Sequence, residues 1–373
     1  MKVVVIVPTY NEKDNIEELI REIFKVSKKV SNHEISVLVV DDNSPDGTAQ
    51  VVESLQKRFK NLHMITGKKE GLGRAYMRGM DYASKKLGAE VMFEHDADFS
   101  HDPKEIPNFL SKIDEGNDLV IGSRYIPGGS IPANWGIHRI LFSVLGNWLV
   151  RITLFHFEHH DWTTGYRAIR TSLYKKVRKE LDDFKGYTFQ VSFLHKAFLK
   201  GAKVAETPIH FKDRVKGESK IGGEYIINLL KYLFIATIQN PPRQLRFVIV
   251  GGTGFVIQTV IFTIFWKNFG VDPSIATIIG AEFAIMSNFI LNNFWTFSDR
   301  KLELSLQVLI PKFLSFNVLS FGSPIIQWAT ITSVVTFISS SDIATWIAYI
   351  TGIFIGLIFN YAIYNKVIWR KKD

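Results

Sequence analysis

Two aspartates separated by one residue are the clearest chemical feature of the sequence, and they stand in the segment HDAD at 95–98. A spacing of two places Asp96 and Asp98 on the same face of an extended segment. Carboxylate oxygens suit Mg²⁺ or Mn²⁺, which bridge protein carboxylates to the phosphates of a substrate. Without a metal, the two carboxylates would repel a diphosphate. The pattern therefore predicts a divalent metal site for a phosphorylated substrate, with Asp41 and Asp42 at a second strand end.

The elements that must position these carboxylates alternate between strands and helices. Five short runs rich in β-branched or apolar residues stop at proline, glycine or polar residues, at 3–7, 34–40, 63–66, 90–95 and 118–122. Helical periodicity lies between the runs, for example at Ile16, Leu19, Ile20 and Ile23. The alternation predicts a mostly parallel, Rossmann-like α/β sheet. Ligands of such sheets bind beyond the carboxyl ends of the strands, which is where the acidic residues stand.

Several other kinds of site do not fit the sequence. A dinucleotide site needs a glycine-rich first turn, and this chain has PTYNE at 8–12 instead. The chain has no cysteine, which excludes disulfides and thiolate chemistry. His95, His101, His159 and His160 have no spacing typical of a zinc site.

Composition divides the chain at Pro241-Pro242. Residues 1–240 hold 65 of the 81 charged residues, whereas residues 241–373 hold 15 of the 29 phenylalanines. The second part contains four apolar segments long enough to cross a bilayer, at about 247–266, 273–297, 313–338 and 343–365. The net charge of +9 is divided between both parts, +5 and +4. This division argues against a nucleic-acid-binding face and predicts an all-α transmembrane domain.

The loops between the spans predict the orientation. Nine cations flank one end of the spans, and Lys267 alone stands at the other end. Cationic loops remain in the cytoplasm, so we expect a multi-pass membrane protein with its N-terminal domain and C-terminus in the cytoplasm. Glu282 lies deep in the second span and is a functional candidate by its depth, with Gln258 or Gln327 as expected partners.

The membrane half contains an internal repeat. Asn288 and Asn293 close the second span, and Asn360 and Asn365 close the fourth. A cation followed by phenylalanine opens the first and third spans, at 246–247 and 312–313. This looks like a duplicated two-helix hairpin, and residues 244–370 resemble the GtrA-like membrane family, which often accompanies polyprenyl-phosphate glycosyltransferases.

Eight motifs of the N-terminal half occur in an order that resembles family 2 glycosyltransferases of the GT-A fold. They are PTYNE (8–12), VVDDNSPDGT (39–48), GLGRAY (71–76), HDADFSHDP (95–103), GSRY (122–125), TGYRA (164–168), GYTFQ (186–190) and DRVKGESKIGG (213–223). Within that family the set is most similar to dolichol-phosphate mannose synthases. The resemblance implies inverting transfer of mannose from GDP-mannose to dolichyl phosphate.

The same resemblance assigns roles to residues. The nucleotide sugar would be bound by Pro8, Tyr10, Glu12, Val40, Asp41, Asp42, Asp96, Ala97 and Asp98. The metal would be bound by Asp96 and Asp98, with Ser100 standing where some relatives have glutamine. Asp98, Arg124 and Arg214 would be catalytic. In this chain Ser192 replaces a glutamate that usually follows the GYTFQ motif.

The chemistry of the acceptor agrees with this picture. A phosphate monoester has a second pKa of about 6 and is already nucleophilic at neutral pH, so no general base is needed. Cations must hold it beside an anionic donor, and arginine suits phosphate oxygens. The residues expected to bind the acceptor phosphate are Arg124, Arg139, Arg214, Ser219 and Lys220.

A lipid acceptor also requires a site at the membrane surface. Residues 137–152 and 226–234 carry apolar stripes at helical spacing, and we expect both to lie in the membrane interface rather than to pack as core helices. The expected domains are a GT-A domain (1–222), an interface helix with linker (223–242) and a GtrA-like domain of four helices (243–373). The alternatives are transfer from UDP-glucose or another nucleotide sugar, and a flippase of lipid-linked sugar.

Overall fold

The computed structural model describes residues 1–181, 187–212, 223–339 and 341–370. Its contacts divide the chain into two compact units, Met1–Gln239 and Asn240–Asp373. The first unit is an α/β domain, and the second contains helices only within its described residues. The predicted fold class, an α/β domain followed by a helical membrane domain, is confirmed.

A seven-stranded sheet forms the centre of the first unit, in the order β3-β2-β1-β4-β6-β5-β7. The strands are β1 (Lys2–Thr9), β2 (Glu34–Asp41), β3 (Leu62–Thr66), β4 (Val91–Glu94), β5 (Leu119–Ser123), β6 (Arg167–Arg170) and β7 (Val204–Pro208). Strand β6 alone pairs antiparallel, with β4 and β5. The sequence analysis missed β6 and β7, because β6 has only four residues with an arginine at each end and β7 has one glutamate among five residues.

Helices cover both faces of the sheet. The helices of this unit are α1 (Lys13–Ser27), α2 (Thr48–Gln56), α3 (Leu72–Lys86), α4 (Ile106–Asp114), α5 (Ile137–Leu154), α6 (Thr171–Val177), α7 (Tyr187–Leu199) and α8 (Gly223–Gln239). In β1, Val3 and Val5 face a core lined by α1, α2 and α4, whereas Val4 and Ile6 face a core lined by α3, α6 and α7. A strand buried on both faces is continuously apolar, which explains the run that opens the sequence.

Helix α5 buries Asn147, Val150 and Leu154 and leaves most of its other apolar side chains exposed. Asn147 is buried and accepts a hydrogen bond from the backbone nitrogen of Trp162 (2.7 Å). Leu141, Leu145 and Trp148 are exposed on the outer side of the helix. Helix α8 is divided in the same way, since Tyr232 and Leu233 are buried while most of its large apolar residues are exposed, among them Ile227, Leu230, Phe234 and Ile238. Both helices therefore present apolar surface outside the domain core.

The second unit contains four helical segments long and apolar enough to cross a membrane, which agrees with the four predicted spans. Their helices are α9 (Arg243–Thr263), α10 (Pro273–Leu291), α11 (Leu306–Ser320), α12 (Gly322–Phe337) and α13 (Asp342–Ile363). The third span consists of two helices, α11 and α12, that meet at Phe321. Three spans end in a π-helical turn, at Ile264–Asn268, Asn292–Thr296 and Tyr364–Ile368.

The predicted repeat is present in this unit. The π-helical turns that close the second and fourth spans occupy equivalent positions, and the residues after them, Phe297 and Trp369, stack with ring centroids 4.6 Å apart. Phe289 of the first hairpin packs on Phe313 of the second at 5.4 Å, and the equivalent pair Tyr361 and Phe247 packs at the same distance. The two hairpins thus make reciprocal contacts through equivalent residues.

Glu282 has a partner other than the two expected glutamines. The amide nitrogen of Asn317, on α11, donates to its Oε2 at 2.8 Å. Glu282 belongs to α10, so this bond joins the two hairpins. At the equivalent positions of the repeat stand Phe354 and Gly251, which makes the polar contact specific to one of the two reciprocal interfaces.

Candidate functional site

Three loops at the carboxyl ends of neighbouring strands form the candidate site. They follow β1, β2 and β4, and each contains one non-glycine residue with positive φ, at Asn11 (61°), Asn43 (55°) and Phe99 (62°). Asparagine tolerates this conformation, whereas in a bulky residue such as phenylalanine it costs about 1 to 2 kcal/mol of conformational free energy. Strain of this kind is concentrated at functional sites. The three turns direct the acidic motifs to one edge of the sheet.

Asp41 is buried and holds the first two loops together. Its carboxylate accepts from the hydroxyl of Thr9 (2.9 Å) and from the backbone and hydroxyl of Ser44 (2.8 and 2.6 Å). Asp42 instead pairs with Arg78 of α3. Burial raises the pKa of Asp42, while the hydrogen bond and charge of Arg78 oppose that rise. Of the two aspartates proposed for the base or ribose, Asp41 also has a structural role in the turn.

The residues of the PTYNE motif lie beside this pair. Tyr10 is partly exposed, and the Lys69 ammonium lies 3.3 Å from the centroid of its ring. The backbone nitrogen of Glu12 donates to the hydroxyl of Thr48 (3.0 Å). Pro8 pairs with Val40 across the two strands, and the Val40 side chain is buried in the core beneath α3. Val40 could therefore contact a nucleotide only through its backbone.

The Asp-Ala-Asp motif follows β4 directly. Asp98 and Ser100 are buried, and the backbone nitrogen of Ser100 donates to Asp98 Oδ1 (3.1 Å). The hydroxyl of Tyr76 donates to Asp96 Oδ1 (2.9 Å). Ala97 packs into the core on the other side of the turn. The structure thus places the two carboxylates and the Ser100 hydroxyl in one tight turn.

These oxygen donors fit a divalent cation. Mg²⁺ is usually bound by one or two carboxylates together with substrate phosphates and water, so a complete protein cage is not required. Among the residues that the structure describes, no group of three or more histidine, aspartate or glutamate side chains is placed to hold an ion. Asp96 and Asp98 would therefore supply two ligands, and the remainder would come from substrate and solvent, with Ser100 available as a hydroxyl donor.

Arg124 lies at the far side of the same strand edge, after β5. Its Nε and Nη2 donate to the two oxygens of Asp161 (2.7 Å each), and Nη2 also donates to the hydroxyl of Thr163 (2.9 Å). Asp161 is completely buried. The guanidinium of Arg139 stacks on Trp135, 4.0 Å from the ring centroid, and that of Arg124 lies 6.0 Å from the same ring. The structure therefore brings two of the proposed acceptor cations to one indole ring.

Three other residues predicted to bind the acceptor phosphate lie outside the described part of the chain. Arg214, Ser219 and Lys220 lie in 213–222, outside the described residues. Lys212, immediately before them, forms an ion pair with Asp102 (3.0 Å), in the loop after the Asp-Ala-Asp motif. Lys212, the last described residue before this gap, therefore lies at the loop that follows the Asp-Ala-Asp motif.

A carboxyl group and a guanidinium group, both buried, lie on neighbouring strands beneath the site. Glu94 on β4 faces Arg167 on β6 across the antiparallel ladder, and both are fully buried. Burial raises the pKa of Glu94 to about 7, although the charge of Arg167 opposes this. Arg167 donates to the backbone oxygens of Thr164, Gln190 and Trp162 (3.0, 2.8 and 3.1 Å). Arg167 therefore connects the TGYRA and GYTFQ motifs.

The sequence analysis missed several residues that hold this site together. Asp161 and Trp135 organise the arginines, and Tyr76 binds Asp96. Tyr76 closes the GLGRAY motif, which was noted only as a resemblance, and Asp161 stands three residues before TGYRA. Their roles depend on contacts between residues far apart in sequence, and the sequence carried no signal for such pairs.

Comparisons with known proteins agree with the two units. The model of "Glycosyl transferase family 2" matches residues 4–180, and that of "GtrA/DPMS, transmembrane domain" matches residues 246–369. A "Dolichol-phosphate mannosyltransferase" of Pyrococcus furiosus is 32% identical over 99% of both chains. A "Polyprenol monophosphomannose synthase" of Mycolicibacterium smegmatis is 38% identical over 60% of this chain and 83% of that one. An "Undecaprenyl-phosphate mannosyltransferase" of Micrococcus luteus is 37% identical over 62% and 94%.

The similarity to the Pyrococcus protein is continuous through both units and confirms the resemblance derived from the motifs. With a catalytic-domain model in the first unit and a membrane-domain model in the second, the chain belongs to the dolichol-phosphate mannosyltransferase family of family 2 glycosyltransferases.

Proposed function

We propose that the protein transfers mannose from GDP-mannose to dolichyl or another polyprenyl phosphate, with inversion at the sugar. One observation carries the proposal: Asp96 and Asp98 form a tight acidic turn on the strand edge that also carries the PTYNE loop and Asp42. This arrangement provides a place for a nucleoside diphosphate sugar. The full-length similarity to a dolichol-phosphate mannosyltransferase supports the choice of reaction.

The donor would lie along the carboxyl ends of β1, β2 and β4. Tyr10 offers a ring face near Asp42, and Pro8, Glu12 and the Val40 backbone line the same edge. Asp41 holds the loop, and Asp42 would accept hydrogen bonds from base or ribose. Asp96, Ala97 and Asp98 would lie under the diphosphate. Mg²⁺ or Mn²⁺ bound by the two carboxylates and assisted by Ser100 would neutralise the charge of the diphosphate leaving group.

The acceptor phosphate would approach from the side of Arg124. Asp161 holds the guanidinium of Arg124 in a fixed orientation, and Trp135 aligns Arg139 with it. Arg214, Ser219 and Lys220 would complete this cationic surface. Because the phosphate is already nucleophilic at neutral pH, these residues would act by positioning the acceptor and by reducing its repulsion from the donor.

The membrane elements would bring this site to its lipid. The exposed apolar sides of α5 and α8 would lie in the bilayer interface, and the four spans would fix the protein in the membrane. The asymmetry of loop cations supports a cytoplasmic location for the catalytic domain and the C-terminus. A GT-A domain of residues 1–222, an interface helix with linker at 223–242 and a membrane domain at 243–373 are part of this proposal.

A donor panel tests the choice of sugar nucleotide. Membranes containing the protein would be incubated with a polyprenyl phosphate and either GDP-mannose or UDP-glucose. We expect lipid-linked mannose from GDP-mannose. Product formed from UDP-glucose alone would overturn the assignment of mannose.

A second experiment tests the chemistry itself. Asp98→Ala should abolish transfer while the protein remains folded, and chelation with EDTA should do the same for the unmodified protein. Transfer that continues at an unchanged rate in EDTA would contradict the metal requirement. Full transfer by Asp98→Ala would contradict the role of Asp98, whereas no transfer by the purified, unmodified protein would point to a transporter whose soluble unit only binds a sugar lipid.

A further inference from the structure

We propose that Tyr76, His95 and His101 are positioning residues that hold Asp96 in the geometry needed to bind a metal ion. All three polar groups of Asp96 are bonded to them. The Tyr76 hydroxyl donates to Asp96 Oδ1 (2.9 Å), the Asp96 backbone nitrogen donates to His101 Nδ1 (3.0 Å), and the Asp96 carbonyl lies 2.8 Å from His95 Nδ1. This inference rests on the metal site of the proposed function and goes beyond its ligands.

The partners fix opposite tautomers for the two histidines. A carbonyl oxygen only accepts, so His95 carries its proton on Nδ1. A backbone N–H only donates, so His101 has a lone pair on Nδ1 and, when neutral, carries its proton on Nε2. His101 Nε2 lies 3.7 Å from Asp96 Oδ2.

The tautomer of His101 also excludes it as a direct metal ligand. Its Nδ1 is already an acceptor for a backbone N–H, and its Nε2 carries the proton, so neither nitrogen is available as a metal ligand in this arrangement. His101 instead acts through Asp96. This explains why histidines flank the acidic motif without the spacing of a zinc site.

The three side chains are fixed by burial and by packing against their neighbours. Tyr76, His95 and His101 are each buried, with at most 1% exposed. The His101 ring stacks on Tyr166 at 4.7 Å and is nearly parallel to it (12°). The strained turn at Phe99 directs the chain back so that His101 can reach the backbone of Asp96. Such outer contacts orient a ligand, and their loss typically lowers metal affinity about 10- to 100-fold.

The test measures Mn²⁺ binding by the full-length protein in detergent, with GDP present and without any sugar donor, by isothermal titration. Tyr76→Phe removes one hydrogen bond and should raise the Kd for Mn²⁺ about tenfold. An asparagine amide can replace a histidine Nδ1, whereas a glutamine amide reaches toward the Nε2 position. His101→Asn should therefore bind Mn²⁺ within about threefold of the unmodified protein, and His101→Gln should lose about tenfold or more.

Tyr82→Phe serves as a matched control, because it removes a hydroxyl from the same helix, α3, and should leave the Kd unchanged. Thermal unfolding identifies variants that fail to fold. If Tyr76→Phe does not fold, the comparison of His101→Asn with His101→Gln still tests the inference. Folded Tyr76→Phe and His101→Gln proteins with an unchanged Kd would overturn the inference alone. Absence of Mn²⁺ binding by the unmodified protein would overturn the proposed metal site, and the inference with it.

Discussion

Arg124 is bound on one side by a buried carboxylate, and this determines what it can offer a substrate. Its Nε and one terminal nitrogen are directed at Asp161, so the guanidinium plane has one orientation. An arginine held in this way loses little freedom on binding phosphate, which is the advantage of a preorganised cation. The cost is that each member of the pair depends on the other, because both are removed from water.

The dependence gives a prediction at the scale of residues. Asp161→Ala should lower the free energy of unfolding of the α/β unit by about 3 to 5 kcal/mol, because Arg124 would remain buried without its counter-charge. Urea unfolding followed by tryptophan fluorescence measures the change. As a control, Glu17→Ala breaks the exposed pair with Arg21 and should cost no more than about 1 kcal/mol. Equal losses in the two variants would contradict the prediction.

At the scale of elements, a buried hydrogen bond ties α7 to α8. His195 Nδ1 lies 2.8 Å from the hydroxyl of Tyr232. Burial, together with the charges of His156 and Lys196, lowers the pKa of His195 to about 4 from its usual 6.5. The folded unit therefore resists protonation that the unfolded chain accepts. The contribution of His195 to stability is present above pH 6.5 and is lost as the pH falls toward 4.

We expect His195→Asn to reduce this acid sensitivity. Asparagine can keep a polar contact with Tyr232 but does not titrate. Between pH 6.5 and 4 the variant should lose about 3 kcal/mol less stability than the unmodified protein. Urea midpoints measured across this range decide the matter. If both proteins lose the same stability between pH 6.5 and 4, the lowered pKa of His195 is not the cause of the acid sensitivity.

Helix α5 supports a second prediction at this scale. Replacing Leu141 and Leu145 together by aspartate places two charges on its exposed apolar side. The KM for a long polyprenyl phosphate in membranes should rise about tenfold or more, because the interface contact is lost. Activity with a short, water-soluble acceptor should be retained. Lys57→Asp, an exposed change directly after α2, is the control. Equal activity of all three proteins with the long lipid would contradict the role of α5.

The elements themselves could be predicted further than the site. Five strands of seven and all four spans followed from apolar runs and turn residues, because burial on both faces of a sheet or within a bilayer leaves a continuous signal. Strand β6 was not predicted because it has only four residues, with an arginine at each end. The roles of Asp161 and Tyr76 were not predicted because their partners, Arg124 and Asp96, are distant in sequence.

At the scale of the whole molecule, the proposed orientation of the spans in the membrane can be tested by labelling introduced cysteines. The chain has no cysteine, so one introduced cysteine is a unique label. In right-side-out cells, Lys267→Cys should react with a membrane-impermeant maleimide, and Lys301→Cys should not. In inverted vesicles the result should be reversed. Labelling of both positions from the same side would contradict the orientation of the spans.

The reciprocal contacts of the two hairpins have a consequence for the origin of the membrane unit. Phe247, Phe313, Phe297 and Trp369 meet in one aromatic cluster, so both hairpins begin and end at the same end of the bundle. Two separate copies of one hairpin, inserted in the same direction, would form an equivalent pair. An ancestral homodimer could therefore have been fused without either half changing its direction of insertion, leaving Glu282 and Asn317 to diverge afterwards at only one of two formerly identical interfaces.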